Sequence, residues 1–249
     1  MNKKELAPGI VVYSEAIDNP GSLALDIEEG MSSAKIEWQL AGVKTGDQEA
    51  GKNKELRDTF VVPIPYSDVE INNPVGFKGT FFASLSNLFL QNLIPLEHDY
   101  KVQYGLSTTW HDQYSILKYG VGQKFVNHID DHKDYHRRMS TIYYINDNYE
   151  GGELVFDTLR FKIKPKVGDI ILFPSTYIYA HSSVPVISGT KYSVVTMFDY
   201  NERTHKGFQY GHNLDGSPAD PDAGRGPRFH GRMPGPIKNL DPDYIFSGI

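Results

Sequence analysis

Between residues 113 and 200 short apolar runs alternate with turn residues at regular intervals. The runs are Tyr114–Tyr119, Phe125–Ile129, Met139–Ile145, Glu153–Phe156, Leu159–Ile163, Asp169–Phe173, Ile178–Val184 and Lys191–Phe198. Roughly eight strand-length runs in about 86 residues predict an antiparallel sandwich or barrel. No helical periodicity interrupts them, which argues against a parallel α/β sheet. The preceding segment reads differently. Phe81, Phe82, Leu85, Leu88, Phe89 and Leu93 recur at spacings of three and four. They predict a helix over 78–94 with one apolar face against something large, ended by Asn92 or Pro95. Ile10–Tyr13 is a short strand. Asn19-Pro20 predicts a helix start, with Asn19 as cap and Pro20 at the first position, carrying Leu23, Leu25, Ile27 and Met31. Gly42 to Lys54 reads as a loop, and the prolines keep Phe60–Pro65 extended. After residue 200 Gly, Pro, Asp and Arg dominate, predicting a disordered tail or an arm over the surface. The organisation expected is a flanking region of helices and strands over 1–112, a β core over 113–200 and a Pro/Gly-rich arm over 201–249.

Composition narrows the chemistry. At 249 residues, 39% hydrophobic and 12% aromatic, the chain can bury a real core. It has no cysteine, which removes disulfides, thiolate zinc sites, iron–sulfur clusters and cysteine nucleophiles together. The net charge of −6 and the pI near 5.8 weigh against a nucleic-acid partner. No apolar run reaches about 18 residues, so no transmembrane helix and no membrane partner are expected. Met1–Leu6 lacks an apolar signal core, and a cytoplasmic location is expected.

Candidate chemistry centres on Tyr119–Asp130, a glycine-bearing turn leading into a strand. Strand side chains alternate faces, so His128 and Asp130 point the same way. They offer two legs of a metal site. The best third leg is His181, inside a late strand and flanked by the small residues Ala180 and Ser182. Two His and a carboxylate leave open positions that suit non-haem Fe(II); catalytic zinc accepts the same ligands. Lys191, ten residues on, leads into the apolar run Tyr192–Val195. Buried there it needs an anionic partner such as a dicarboxylate; at a strand end it could instead reach solvent. Asp131–Arg138 is dense in charge and reads as a solvated loop at the site mouth. Gly151-Gly152 lacks the lysine–serine pair of a phosphate loop, and Ser182-Ser183 lacks a nucleophile elbow.

In order, Leu117–Gln123, His128-Ile129-Asp130, Ile142–Asn146, Gly151–Phe156, Pro165–Asp169, Phe173-Pro174, His181 and Lys191 resemble the 2-oxoglutarate- and Fe(II)-dependent dioxygenases, in their prolyl 4-hydroxylase branch. The resemblance implies an α+β, mainly β fold: a double-stranded β-helix (jelly roll) with the N-terminal helices packed on one sheet. It implies Fe(II) on His128, Asp130 and His181, Lys191 on the far carboxylate of 2-oxoglutarate, and Tyr119 and Tyr144 lining the co-substrate pocket. O2 is consumed, succinate and CO2 are released, and ascorbate is a further expected cofactor. The lysine ten residues past the distal His favours a prolyl residue in a peptide or protein substrate over nucleic acid. Hydroxylation of another side chain or small molecule, a non-catalytic jelly-roll binding module and a zinc hydrolase are the alternatives.

Overall fold

The computed structural model describes residues 2–43, 51–64, 76–108, 110–131 and 137–199. The chain opens with strands β1 (Asn2–Ala7) and β2 (Ile10–Ser14), helix α1 (Leu23–Ser33), and strands β3 (Gln39–Leu40), β4 (Arg57–Asp58) and β5 (Phe60–Pro63). Helix α2 (Gly76–Tyr104) follows, then β6 (Trp110–His111), β7 (Ser115–Tyr119), β8 (Lys124–His128) and β9 (Met139–Tyr144). The rest comprises β10 (Glu150–Gly151), β11 (Leu154–Phe156), β12 (Phe161–Ile163), β13 (Ile170–Pro174), β14 (His181–Ser183), β15 (Val186–Ser188) and β16 (Lys191–Asp199).

Among the described residues the major sheet runs β1-β2-β13-β9-β16-β7-β5-β3, with β6 also on β16, and the minor sheet runs β12-β11-β14-β8-β4. Its core pairings are antiparallel. From β7 onward the chain passes back and forth between the two sheets, which makes a double-stranded β-helix. All eight apolar runs of the core contain a strand, each within a few residues of its expected limits. The short pair β10–β15 carries too few residues for a readable period.

Continuous apolar runs arise because the major sheet is covered on both faces. Along β13, Ile170 and Leu172 join the cluster beneath the helices, while Ile171 and Phe173 join the one between the sheets. Val11 and Tyr13 divide from Ile10 and Val12 in the same way on β2. Each such side chain, fully buried, contributes about 1.5–3 kcal/mol. On the outer face α1 lays Leu23, Ile27 and Met31, and α2 lays Phe82, Leu85, Phe89, Leu93, Leu96 and Tyr100. Glu28 of α1 also ties two site-bearing strands together. Its carboxylate accepts from Lys118 Nζ on β7 at 2.6 Å and from the Tyr192 hydroxyl on β16 at 2.6 Å.

Two helix boundaries differ from expectation. α2 does not stop at Asn92 or Pro95 but continues to Tyr104. Pro95 removes one backbone hydrogen bond, a loss of about 3 kcal/mol in a helix interior. Its ring lies on the exposed side, and the buried Leu96 and Tyr100 beyond it hold the last turns to the sheet. α1 begins after Ser22 rather than after Asn19, because Asn19 adopts φ +49° and Pro20 sits in the turn before the helix. The loop expected over 42–54, the extended run over 60–65 and the charged run over 131–138 fall partly outside the described residues, and the arm over 201–249 wholly so.

Candidate metal centre and anion pocket

Antiparallel pairing of β14 with β8 sets His181 directly opposite His128. The two imidazole centroids are 4.4 Å apart. Asp130, just past the end of β8, faces both: Oδ1 lies 3.5 Å from His128 Nε2, and Oδ2 lies 3.7 Å from His181 Nε2. One ligand atom from each of the three falls within 4.8 Å of the others. The three residues expected to meet do meet.

Backbone carbonyls fix the imidazoles in the ligating form. His128 Nδ1 faces the Val126 carbonyl at 2.9 Å, and His181 Nδ1 faces the Tyr179 carbonyl at 3.1 Å. A carbonyl only accepts, so each Nδ1 carries a proton, which leaves Nε2 as the nitrogen turned to the centre and able to ligate. Burial pushes the His181 pKa down to about 4, against the pull of Asp130, so this imidazole is neutral at pH 7. Burial alone would raise Asp130; the facing His181 and His128, and then Arg137, outweigh it and hold the carboxyl well below the usual carboxylate range. Two imidazole nitrogens and one carboxylate on one side of a point are a donor set that fits non-haem Fe(II).

Spacing alone did not reveal what steadies Asp130. Ser140 on β9 donates to Asp130 Oδ2 at 2.6 Å, and its hydroxyl also meets Ser175 Oγ at 2.7 Å. Arg137 Nη1 reaches the Asp130 carbonyl at 3.4 Å. Second-layer hydrogen bonds of this kind orient ligating carboxylates, and their loss lowers metal affinity about 10- to 100-fold. Ser140→Ala is therefore expected to weaken Mn(II) binding by that factor in a calorimetric titration, with an unchanged circular dichroism spectrum. Equal affinity in the variant would show that the serine does not orient Asp130.

The lysine expected at a strand end is not solvated. Lys191 opens β16 opposite Tyr119 of β7 and is 3% exposed. Its ammonium donates to the Gly152 carbonyl and to Ser183 Oγ, both at 2.8 Å, and stands 5.1 and 5.5 Å from the ring centroids of Tyr119 and Tyr144. Among the described residues it meets no carboxylate. Burial, then the nearby charge of Lys164, push its pKa down to about 7 against the pull of Glu153. A buried cation with only neutral acceptors is a place made for an anion. Ser183 shares a strand face with His181, two residues and about 7 Å along β14. A short dicarboxylate fits between the lysine and the metal ligands. The period of two, carried one step past His181, would have found Ser183.

Tyr119 and Tyr144, which the resemblance assigns to the co-substrate pocket, lie against the ammonium. Burial keeps both phenols protonated. Tyr149, outside that pattern, packs with Tyr119 and has a buried hydroxyl without a hydrogen-bond partner among the described residues. Gly152 is left-handed (φ +63°), and a Cβ there would lie 3.2 Å from Lys191 Cδ and 3.1 Å from the Tyr149 ring. The double glycine is a sharp turn that lets backbone approach the lysine, with no phosphate-binding role.

A family model described as the 2OG-Fe(II) oxygenase superfamily matches residues 114–199. Over 100 residues the chain is 34% identical to a PKHD-type hydroxylase of Prochlorococcus marinus (strain MIT 9215), covering 38% of this chain and 44% of that protein. The chain thus spans under half the length of that curated relative. Similar folds occur in a Trichoplax adhaerens prolyl hydroxylase solved with a hypoxia inducible factor oxygen degradation domain peptide fragment (TM-score 0.55, 15% identity, covering 76% of this chain and 83% of that one). They occur also in a Pseudomonas putida prolyl-4-hydroxylase (TM-score 0.51, 16% identity, 78% and 93% covered). A third is an oxidoreductase of the 2OG-Fe(II) oxygenase family from Burkholderia pseudomallei (TM-score 0.52, 15% identity, 78% and 86% covered).

Proposed function

We propose that this chain, whose residues 114–199 carry a 2OG-Fe(II) oxygenase core, hydroxylates a C–H bond of a prolyl residue in a peptide or protein. The observation that carries the reading is a buried Lys191 that meets no carboxylate among the described residues and bonds Ser183, which shares β14 with His181, close to the cluster of His128, Asp130 and His181. A metal site alone fits many activities. A metal site with a buried cation bonded to Ser183, two residues along β14 from His181, fits a chelating dicarboxylate co-substrate.

In this reading His128, Asp130 and His181 hold Fe(II), and Lys191 with Ser183 receives the far carboxylate of 2-oxoglutarate by charge-assisted hydrogen bonds. When bound, iron and 2-oxoglutarate supply the O2-dependent oxidation that releases succinate and CO2 and delivers hydroxyl to the substrate. The chain itself orients these groups. Tyr119, Tyr144 and Tyr149 wall the pocket against water, and the Nδ1–H bonds keep both imidazoles aimed. The prolyl part of the reading is supported by the branch resemblance of the sequence and by prolyl hydroxylases among the similar folds.

The test is direct. Purified protein with Fe(II), ascorbate, O2 and 2-oxoglutarate is expected to form succinate, and a peptide library is expected to gain one oxygen mass on proline. Succinate formation that survives metal removal would sink the oxygenase reading. Oxygen gained on another residue type would move the substrate and leave the chemistry standing.

A further inference from the structure

Arg57 stands on β4, the edge strand of the minor sheet, opposite Phe125 of β8. Its guanidinium carbon lies 4.5 Å from the centroid of the Phe125 ring. That ring in turn stacks on the His128 imidazole, with centroids 3.5 Å and planes 15° apart. Guanidinium, phenyl and imidazole thus run in series to a metal ligand. The Arg57 charge is felt at both Tyr119 and Asp130, which places it beside the site.

Arg57 is only partly satisfied. Nη1 donates to the Gly42 carbonyl at 3.1 Å. Nε is closed off from solvent and, among the described residues, has no hydrogen-bond partner. The adjacent carboxylate, Asp58, accepts from Gln123 Nε2 through Oδ1 at 3.0 Å. The other arginine beside the site shows the contrast: Arg137 grips Asp112 through Nε at 3.0 Å and Nη2 at 2.9 Å. A sequestered donor left unmade costs about 1–3 kcal/mol, and a planar guanidinium is matched best by a carboxylate accepting two parallel bonds.

We propose that Arg57 is a specificity-determining residue that receives a carboxylate of the substrate, so that the hydroxylated residue lies close to an acidic side chain or to a chain-terminal carboxylate. The proposal rests on the oxygenase reading of the same site and names its substrate class. Lys191 holds the co-substrate carboxylate; Arg57 reads the substrate.

The test compares matched proline peptides whose neighbouring residue is Glu or Gln, and peptides ending in a carboxylate or an amide. Wild type, Arg57→Gln and Arg57→Lys are measured by mass shift, and by fluorescence anisotropy of the same peptides on Mn(II)- and 2-oxoglutarate-loaded protein. Wild type is expected to favour one acid over its amide at least about tenfold in KM and in Kd. The arm that shows the preference identifies the carboxylate as side-chain or terminal. Arg57→Gln is expected to bring acid and amide within about twofold of each other, while 2-oxoglutarate affinity and peptide-independent succinate formation stay at wild-type level. Arg57→Lys, which keeps charge but loses the fork, is expected to fall between. Equal binding of acid and amide by wild type overturns the proposal. So does a loss of 2-oxoglutarate affinity in Arg57→Gln, which would assign Arg57 to the co-substrate or to packing around His128. Absence of succinate in every form, with the peptide preference intact, would refute the oxygenase reading alone.

Discussion

Asp130→Ala abolishes 2-oxoglutarate-dependent succinate formation: a fall of at least about a thousandfold is expected, equivalent to about 4 kcal/mol. Asp130 is the one carboxylate of the three, and the other two are imidazoles. Without it the charge of a bound divalent cation meets no opposite charge among the chain's three ligands. The side chain is buried, with His128 at 3.5 Å and His181 at 3.7 Å, so water does not readily replace it. Asp130→Asn separates charge from shape. It retains an oxygen toward the centre but loses the negative charge, and Mn(II) affinity should fall between wild type and Ala. The sign of the acid response follows from the depressed carboxyl. Stability that the ionised Asp130 contributes is present above its unfolded pKa of about 4 and is lost as pH falls below that. Neither variant should lose that contribution on acidification. Full succinate formation by Asp130→Ala would remove the metal assignment.

The parts of the site that share one strand were legible from its period; His181 was named from its small neighbours and the ordered resemblance, while the register that brings it to His128 was not. His128 and Asp130 could be placed together because a strand has a period of two. The direct opposition of His181 and His128 depends on how β14 pairs with β8, and that register is irregular between His181 and Ser183. No spacing encodes it. Lys191 is a similar case. Its position at the head of a strand was readable, but burial follows from Tyr119 opposite it and from the left-handed Gly152 admitting a carbonyl beside it. Ser140 and Arg57 were silent because nothing local distinguishes a serine on a strand or an arginine at an edge. In the fold, the core runs of the major sheet were visible because strands covered on both faces are apolar throughout, and those of the minor sheet because turn residues bound them at regular intervals. Pro95 misled because local backbone preference was outweighed by tertiary burial of Leu96 and Tyr100, which a window ending at the proline does not contain.

Lys191→Met is expected to weaken 2-oxoglutarate binding at least about 100-fold while stabilising the ligand-free protein below pH 7. Truncating one side of a buried, hydrogen-bonded charge pair costs about 2–5 kcal/mol, which sets the first effect. The second follows from the free lysine. Its folded pKa is pushed down to about 7 from an ordinary value of 10.5. Below pH 7 both folded and unfolded lysines are protonated, and the folded state bears the whole penalty of a buried cation. Between about 7 and 10.5 the folded lysine sheds its proton and the unfolded one keeps it, so the penalty shrinks as pH rises. Methionine removes that penalty at similar length. It also leaves Ser183 Oγ and the Gly152 carbonyl without their donor, a loss of about 1 kcal/mol each that only partly offsets the gain. Thermal unfolding of the ligand-free variant should therefore show a raised Tm at pH 6 that declines relative to wild type as pH rises and lies below it by about pH 10, where only the loss of the two hydrogen bonds remains. In wild type, 2-oxoglutarate affinity should fall as pH rises above about 7, up to tenfold per unit, because only the ammonium pairs with a carboxylate. A merely structural lysine would give the opposite pattern: a lower Tm on substitution, and 2-oxoglutarate affinity indifferent to both the variant and the pH.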